Sequence, residues 1–204
     1  MFWNKIHQID QQVTLAINSL SSPVTDPVWQ FFSNIQVWIP MYVLIVALLI
    51  WRLGWKKGIL IVLAAAATFG FCDQCANFVK ELVGRVRPLN DEFMMANGLV
   101  VLEGSSQSFG FFSGHAANSF GLASCTSFGL RLDKRWFPVS SKPAVWGKAY
   151  IWWIFTWASL VTISRVFVGK HYLGDVLTGA AVGFAAGATF ALLAGWIAKR
   201  VLKF

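Results

Sequence analysis

Three groups of residues along the chain have side chains suited to holding an anion and moving a proton. The first is Lys80-Glu-Leu-Val-Gly-Arg-Val-Arg87-Pro88. On an α-helix the seven-residue step from Lys80 to Arg87 is nearly two turns. Both cations then share one face, just before a proline that ends the helix. Two fixed cations side by side make an oxyanion clamp; the plainer alternative is the basic flank of a membrane span, and such a flank belongs on the cytoplasmic side. Arg85 has Glu81 four residues earlier as a surface partner, which sets it apart from the clamp. Asp73 lies a further seven residues upstream, in phase with Lys80. It either orients Lys80 or another group, or it hydrogen-bonds to a neighbouring helix.

The second group is Phe112-Ser113-Gly114-His115, where an apolar run begins. A Ser-Gly turn at a helix start offers a hydroxyl and backbone N–H groups to an anion, and the helix dipole adds favourable potential. His115 is then placed to give or take a proton near neutral pH. Alone, the same letters describe an ordinary serine N-cap. The third group runs from Ser164-Arg165 to His171 and Asp175. Four residues apart, His171 and Asp175 lie on one helical face, so a carboxylate can hold an imidazole in one tautomer and stabilise its cation. Arg165 adds a guanidinium capable of bidentate phosphate contact. The competing reading is a helix-start ion pair. No metal or cofactor is implied, because a divalent ion among Lys80, Arg87 and Arg165 would be repelled and carboxylate ligands are scarce.

The elements that must position these groups lie in a membrane. Of 204 residues, 56% are hydrophobic before the 17 glycines are counted, and only 13% are charged. Ordinary soluble domains are about 45–50% apolar with glycine included. Disorder, collagen and coiled coil are excluded by the same composition. The net charge of +8 does not indicate nucleic acid, since the cations form short clusters between apolar runs instead of an accessible basic face. The three cysteines, including Cys72 and Cys75, sit in apolar stretches and read as small hydrophobes.

The fold class expected is an all-α membrane protein with about five transmembrane helices. Runs long enough to cross about 30 Å of hydrocarbon are Phe32 to Trp51, Gly58 to Val79, Gly114 to Leu130, Ala149 to Ile163 and Leu173 to Ala198. The third and fourth are short and need shielding by protein. Within residues 1–22, Ile6, Ile9, Val13, Ile17 and Leu20 recur at helical spacing, with Gln8, Gln11, Gln12 and Asn18 opposite them. That pattern describes an interfacial helix, or a sixth one, and it lacks the features of a cleaved signal peptide. Ser21, Ser22, Pro23, Asp26 and Pro27 read as the turn that follows it. The whole of 1–204 reads as a single integral-membrane domain.

Basic residues orient the chain. With the link at 52–57 in the cytoplasm, 131–148 and the tail lie there too. These hold Arg52, Lys56, Lys57, Arg131, Lys134, Arg135, Lys142, Lys148, Lys199, Arg200 and Lys203, eleven of the 17 Lys and Arg. Outside are Lys5, Lys80, Arg85, Arg87, Arg165 and Lys170. Most of these stand beside the three chemical groups, so all three groups fall on one outer side.

At this point the residues resemble the type-2 phosphatidic acid phosphatase family of membrane lipid phosphatases, which shares its helical core with the vanadium haloperoxidases. KxxxxxxRP is matched at Lys80 to Pro88, PSGH at Phe112 to His115 with Phe112 in place of Pro, and SRxxxxxHxxxD at Ser164 to Asp175. The resemblance implies that Lys80, Arg87 and Arg165 hold the phosphate oxygens, with Ser113 and the Gly114 amide completing the cradle. It implies that His171 attacks phosphorus to form a phosphohistidine, that Asp175 orients it, and that His115 protonates the leaving oxygen. With the donors Ser113 and Gly114 intact, activity is expected to survive the loss of the proline ring.

Such a protein is expected in the bacterial inner membrane with its active site facing the periplasm. It would act on phosphoric monoesters or diphosphates of membrane lipids. Undecaprenyl pyrophosphate and lipid A phosphate stand level as substrates, with phosphatidate and phosphatidylglycerol phosphate behind. A lipid phosphotransferase and a non-catalytic headgroup-binding protein are the rival readings. The segment 89–111, with Asp91, Glu92 and Glu103, is expected to cover the site and limit which headgroups enter.

Overall fold

Glycines four residues apart set the central contact of the molecule. In a computed structural model that describes residues 2–104, 106–138 and 142–200, helix α7 (Leu173–Arg200) lies along helix α5 (Gly114–Leu130). A Cβ at Gly179, Gly183 or Gly187 would stand 2.4, 2.0 or 2.2 Å from the carbonyl oxygens of Ser113, Ala117 and Gly121. Only glycine permits that approach, which is how helices associate where no hydrophobic drive separates protein from lipid. It brings the start of α7 against the start of α5, and the second and third sequence groups meet there.

Around α5 pack α3 (Ile39–Val83), α6 (Val145–Phe167) and α7. Small residues such as Ala116, Ala117, Ser124 and Cys125 are buried along α5. This 17-residue helix is thus screened by its neighbours, as its length requires. α3, α6 and α7 are long and apolar enough to cross a membrane. Leu63, Phe78, Leu82, Trp152, Leu177 and Leu192 are exposed on their outer faces, a surface that lipid covers.

α3 is two arms. Gly54 adopts φ 76°, ψ 161°, a conformation that favours glycine, and the chain turns back on itself. At the bend Arg52 forms an ion pair of 2.7 Å with Asp133 and stacks 4.4 Å over the Trp136 ring. Arg135 donates to the Arg52 carbonyl. The 52–57 link and the segment after α5 therefore occupy the same end of the bundle, as the charge alternation requires. Lys203, one of the orienting cations, lies outside the described residues.

Other boundaries differ from the sequence reading. Asp26 and Pro27 open a helix, α2 (Asp26–Ser33), in place of a turn. The first membrane arm begins at Ile39 and not at Phe32, because Asn34 accepts the Gln36 amide and starts a 3₁₀ turn, Ile35–Trp38. α6 is longer than the apolar run at both ends, since its polar final turn is buried in protein. Segment 89–111 contains a 3₁₀ turn, Pro88–Asn90, and a short helix, α4 (Glu92–Ala96), capped by Asp91. The cysteines are free, with Cys72 and Cys125 buried.

The N-terminal helix α1 (Phe2–Asn18) is amphipathic in an inverted sense. Ile6, Ile9 and Val13 are exposed, while Gln11, Thr14 and Asn18 are buried against the protein. Asn18 alone donates to the carbonyls of Val100, Val166 and Phe167 and accepts the Val100 amide. Thr14 accepts the Leu173 amide and Asp10 the Gly174 amide, so α1 caps the start of α7.

Candidate active site

Lys80 stands on the last turn of α3, and the helix ends sooner than the spacing suggested. Gly84 is left-handed (φ 62°, ψ 24°) and its amide returns to the Lys80 carbonyl. Arg87 is therefore not on the same helical face as Lys80; it arrives on an extended segment (φ −74°, ψ 154°) that leads into Pro88. The two cations still lie close enough to repel one another. Arg87 is buried. Its Nε donates to the Ser108 carbonyl (2.8 Å) and its Nη2 to Ser108 Oγ (2.9 Å), so the covering segment holds the guanidinium.

The third Arg87 nitrogen reaches the histidine. Nη1 lies 3.1 Å from His171 Nε2 and 3.3 Å from the Lys170 carbonyl. A guanidinium only donates, so Nε2 carries the lone pair and the imidazole proton belongs on Nδ1. Nδ1 lies 3.5 Å from Asp175 Oδ2, on the proper side but at the outer limit of a hydrogen bond, and the Gly110 backbone also acts on the ring. His171 lies between α6 and α7. Burial first, then Arg87, Arg165 and Lys80, push its pKa well below the ordinary histidine range. The neutral form is favoured there, and its Nε2 lone pair is directed at the Arg87 guanidinium.

Arg165, on the last turn of α6, is buried and pairs with Glu103 of the covering segment at 3.2 Å. Ser33, at the end of α2, hydrogen-bonds to both Arg165 and Glu103. Lys170, also buried, donates to the Gly104 carbonyl, and burial lowers its pKa. Ser33 does not stand out in the sequence. Lys170 had a signal, as a cation on the side where the charge rule disfavours one.

Ser113 is fully buried and caps α5 by accepting the Ala116 amide, which leaves its hydroxyl hydrogen as a donor. Its own amide donates to the Asp175 carbonyl at 3.0 Å, joining the second and third groups. Gly114 opens α5. His115 follows and feels the charges of Arg165, Lys80 and Arg87. It borders a cavity of about 60 Å³ lined largely by aromatic side chains, among them Phe32, Trp38 and Phe69. Phe112 is buried against Cys72, Ala76, Ala117 and Ala186, so the ring replacing the family proline is part of the packing. Asp73 accepts from Asn118 of the neighbouring α5 at 2.7 Å, and its charge also acts on Lys80.

The largest correction concerns Arg85. Its partner is not Glu81. Nη1 pairs with Asp175 Oδ1 at 2.6 Å, Nη2 with Asp10 Oδ2 at 2.7 Å, and the guanidinium lies 3.9 Å over the Tyr172 ring. Four-residue spacing suggested a helical pair, but α3 has already ended before Arg85.

A sequence model of the PAP2 superfamily matches residues 58–199. The chain is 35% identical over 198 residues to the lipid A 4'-phosphatase of Bacteroides thetaiotaomicron, covering 96% of this chain and 81% of that protein. It is 27% identical over 183 residues to the lipid A 4'-phosphatase of Porphyromonas gingivalis, covering 89% and 71%. The crystal structure of a transmembrane PAP2-type phosphatidylglycerolphosphate phosphatase from Bacillus subtilis is similar with a TM-score of 0.69 at 25% identity, covering 98% of this chain and 90% of that one. LpxE from Aquifex aeolicus shares the fold, with a TM-score of 0.57 over 88% of this chain and 92% of that one, at 20% identity. With the three sequence groups gathered at one end of the bundle and the family match running over most of the chain, this multi-pass membrane protein belongs to the PAP2 superfamily.

Proposed function

We propose that this membrane lipid phosphatase removes a phosphate from lipid A at the outer face of the bacterial inner membrane, through a phosphohistidine at His171. The observation that carries the reaction is the alignment Arg87 Nη1, His171 Nε2, His171 Nδ1, Asp175 Oδ2. A phosphate held by Arg87 has the lone pair of Nε2 beside it. Nε2 attacks phosphorus in line, the bond from phosphorus to the lipid oxygen breaks, and His115 gives that oxygen a proton. Asp175 accepts the Nδ1–H and offsets the charge that the imidazole gains. Water then attacks the phosphohistidine, passing a proton to His115, and phosphate leaves.

Lys80, Arg87 and Arg165 bind the phosphate oxygens, with Ser113 and the Gly114 amide as further donors. Phosphoryl transfer needs positioning and charge compensation above all, and these cations provide both without a metal or cofactor. Asp73 stands behind the site, holding α3 to α5 through Asn118. Glu103 now takes up the charge of Arg165. Phosphate entering the cradle must compete with that carboxylate.

The two lipid A 4'-phosphatases favour lipid A over undecaprenyl pyrophosphate as the substrate. The periplasmic placement rests on the opposite end of the bundle, where Arg52 and Arg135 cluster as cytoplasmic residues do. The test is phosphate release by the purified protein from lipid A, undecaprenyl pyrophosphate and phosphatidylglycerol phosphate, with EDTA present and His171→Ala alongside. Expected is release from lipid A that survives chelation and is lost in the variant. Preference for another lipid overturns the substrate reading, loss on chelation overturns the metal-free chemistry, and phosphate found on a second lipid identifies a transferase.

A further inference from the structure

Asp175 has two carboxylate oxygens, and the phosphohistidine reading uses one of them. The other is held by a residue at a position that the first family motif leaves unspecified. Oδ2 faces His171 Nδ1 at 3.5 Å and accepts the Tyr172 amide at 3.1 Å; Oδ1 receives Arg85 Nη1 at 2.6 Å. Asp175 is wholly buried. A buried carboxylate stays ionised only if hydrogen bonds and opposite charge compensate for lost water, and Arg85 supplies both through one contact.

Arg85 is itself fixed from three directions. Its Nη2 pairs with Asp10 Oδ2 at 2.7 Å and lies 3.1 Å from His7 Nδ1, while its plane covers the Tyr172 ring at 3.9 Å. Tyr172 is tethered in turn, its hydroxyl donating to Asp91 Oδ2 at 2.5 Å, and Gln11 of α1 donates to the same oxygen at 2.9 Å. Asp10 makes a second contact that bears on Asp175, since its Oδ1 accepts the Gly174 amide at 2.9 Å. One α1 carboxylate thus orients the guanidinium that grips Asp175 and the backbone that carries it.

We propose that Arg85 is a positioning residue for the His171–Asp175 pair, and that α1 completes the active site by holding Arg85 through Asp10. This rests on the phosphohistidine reading above. Arg85 turns the Asp175 carboxylate so that Oδ2 faces Nδ1, and it keeps that carboxylate charged. The other ionisable groups near the pair are Arg87 beside Asp175, and Lys80, Arg87, Arg165 and His115 around His171. His7 and Asp91 lie beyond Arg85.

The test is the pH dependence of kcat for lipid phosphate hydrolysis by the full-length protein in detergent, with folding followed by thermal melting. The variants are Arg85→Gln, Arg85→Lys, Asp10→Asn and His171→Ala. Removing the Arg85 charge makes Asp175 easier to protonate, so the acid limb moves to higher pH. Expected for Arg85→Gln is a fall in kcat of about 10- to 100-fold, typical of a group supporting a reactive residue. KM should stay within about threefold, and the acid limb should rise by about half a pH unit or more. Arg85→Lys should return the limb towards its original position. Asp10→Asn should show the same pattern, weaker. A kcat within about threefold of the unmodified protein, or a fall in kcat with the limb unmoved, overturns the proposal. If Arg85→Gln gives no cooperative melt, Asp10→Asn decides by the same readouts. Activity retained in His171→Ala overturns the phosphohistidine reading itself, whereas an inactive His171→Ala beside an unmoved limb in Arg85→Gln overturns the positioning role alone.

Discussion

The two ends of the helical bundle both gather cations, and they treat them differently. At the end formed by the 52–57 link, Arg52 has Asp133 at 2.7 Å and Arg135 shares the same carboxylate at 3.1 Å. Hydrogen bonds to Arg135 and Arg52 lower the pKa of Asp133 in turn. Charge there is balanced locally. At the opposite end Arg87 is buried with a carbonyl, a serine and an imidazole for partners, and among the described residues no carboxylate pairs with it within 4.0 Å. Lys80, Arg165 and Lys170 crowd the same region, with Glu103 as the anion that Arg165 contacts. Burying a cation without a paired carboxylate costs free energy. The first end pairs both arginines with Asp133, whereas the second holds Arg87 with neutral partners.

Substitution of the proposed nucleophile should separate the ends most sharply. His171→Ala is expected to lower kcat at least about 10³-fold, measured as phosphate release, with its melting transition retained. Next, Arg87→Gln should cost about 10²- to 10³-fold in kcat/KM, as removal of one oxyanion donor does. Arg52→Gln, the matching change at the other end, should leave kcat/KM within about twofold and lower Tm by several degrees, since it leaves Asp133 poorly paired. Equal losses of activity from the two arginine variants would erase the distinction.

A third change tests how the site is assembled. Gly183→Ala places a methyl 2.0 Å from the Ala117 carbonyl and must push α7 away from α5. The reacting groups stand on both helices, and a displacement of about 1 Å costs on the order of 100-fold in rate. Gly54→Ala, at the far bend, should affect stability more than kcat.

The smaller effects concern charge. Because His171 is neutral in the folded protein well below its ordinary pKa, the unfolded chain takes up a proton below about pH 6.5 that the folded one refuses. Stability is therefore lost as pH falls through that range, and Tm should drop between pH 7 and 5, less so in His171→Gln. Glu103→Gln removes the carboxylate that competes for Arg165 and should lower KM about two- to threefold with kcat little changed, measured with the lipid substrate.

The contrast between the ends was partly legible in the sequence. Lys80, Arg87, Arg165 and Lys170 stood where the charge rule disfavours cations, and Ser113, His115, His171 and Asp175 had spacings that suit proton and anion chemistry. The apolar run from Gly114 to Leu130 coincides with α5. Helical periodicity failed beyond Val83, where the left-handed Gly84 ends α3 and sends Arg85 and Arg87 out on extended backbone. The i, i+4 rule then named Glu81 as the partner of Arg85, when the partners are 75 and 90 residues away. Such pairings depend on how α1 docks, and its sequence shows two faces without saying which one meets protein. The four-residue spacing of Gly179, Gly183 and Gly187 marks close helix packing but went unread in the sequence, and it best explains how the second and third groups meet.

The central claim is that His171 carries the phosphate. The direct measurement is rapid acid-free quenching of the purified protein during turnover of ³²P-labelled lipid phosphate in EDTA, followed by denaturing separation. The account predicts protein-bound label that is stable to base and labile to acid, forms as fast as turnover requires, and is absent from His171→Ala. Undiminished turnover with no covalent label in the unmodified protein, or label that persists in His171→Ala, would contradict it.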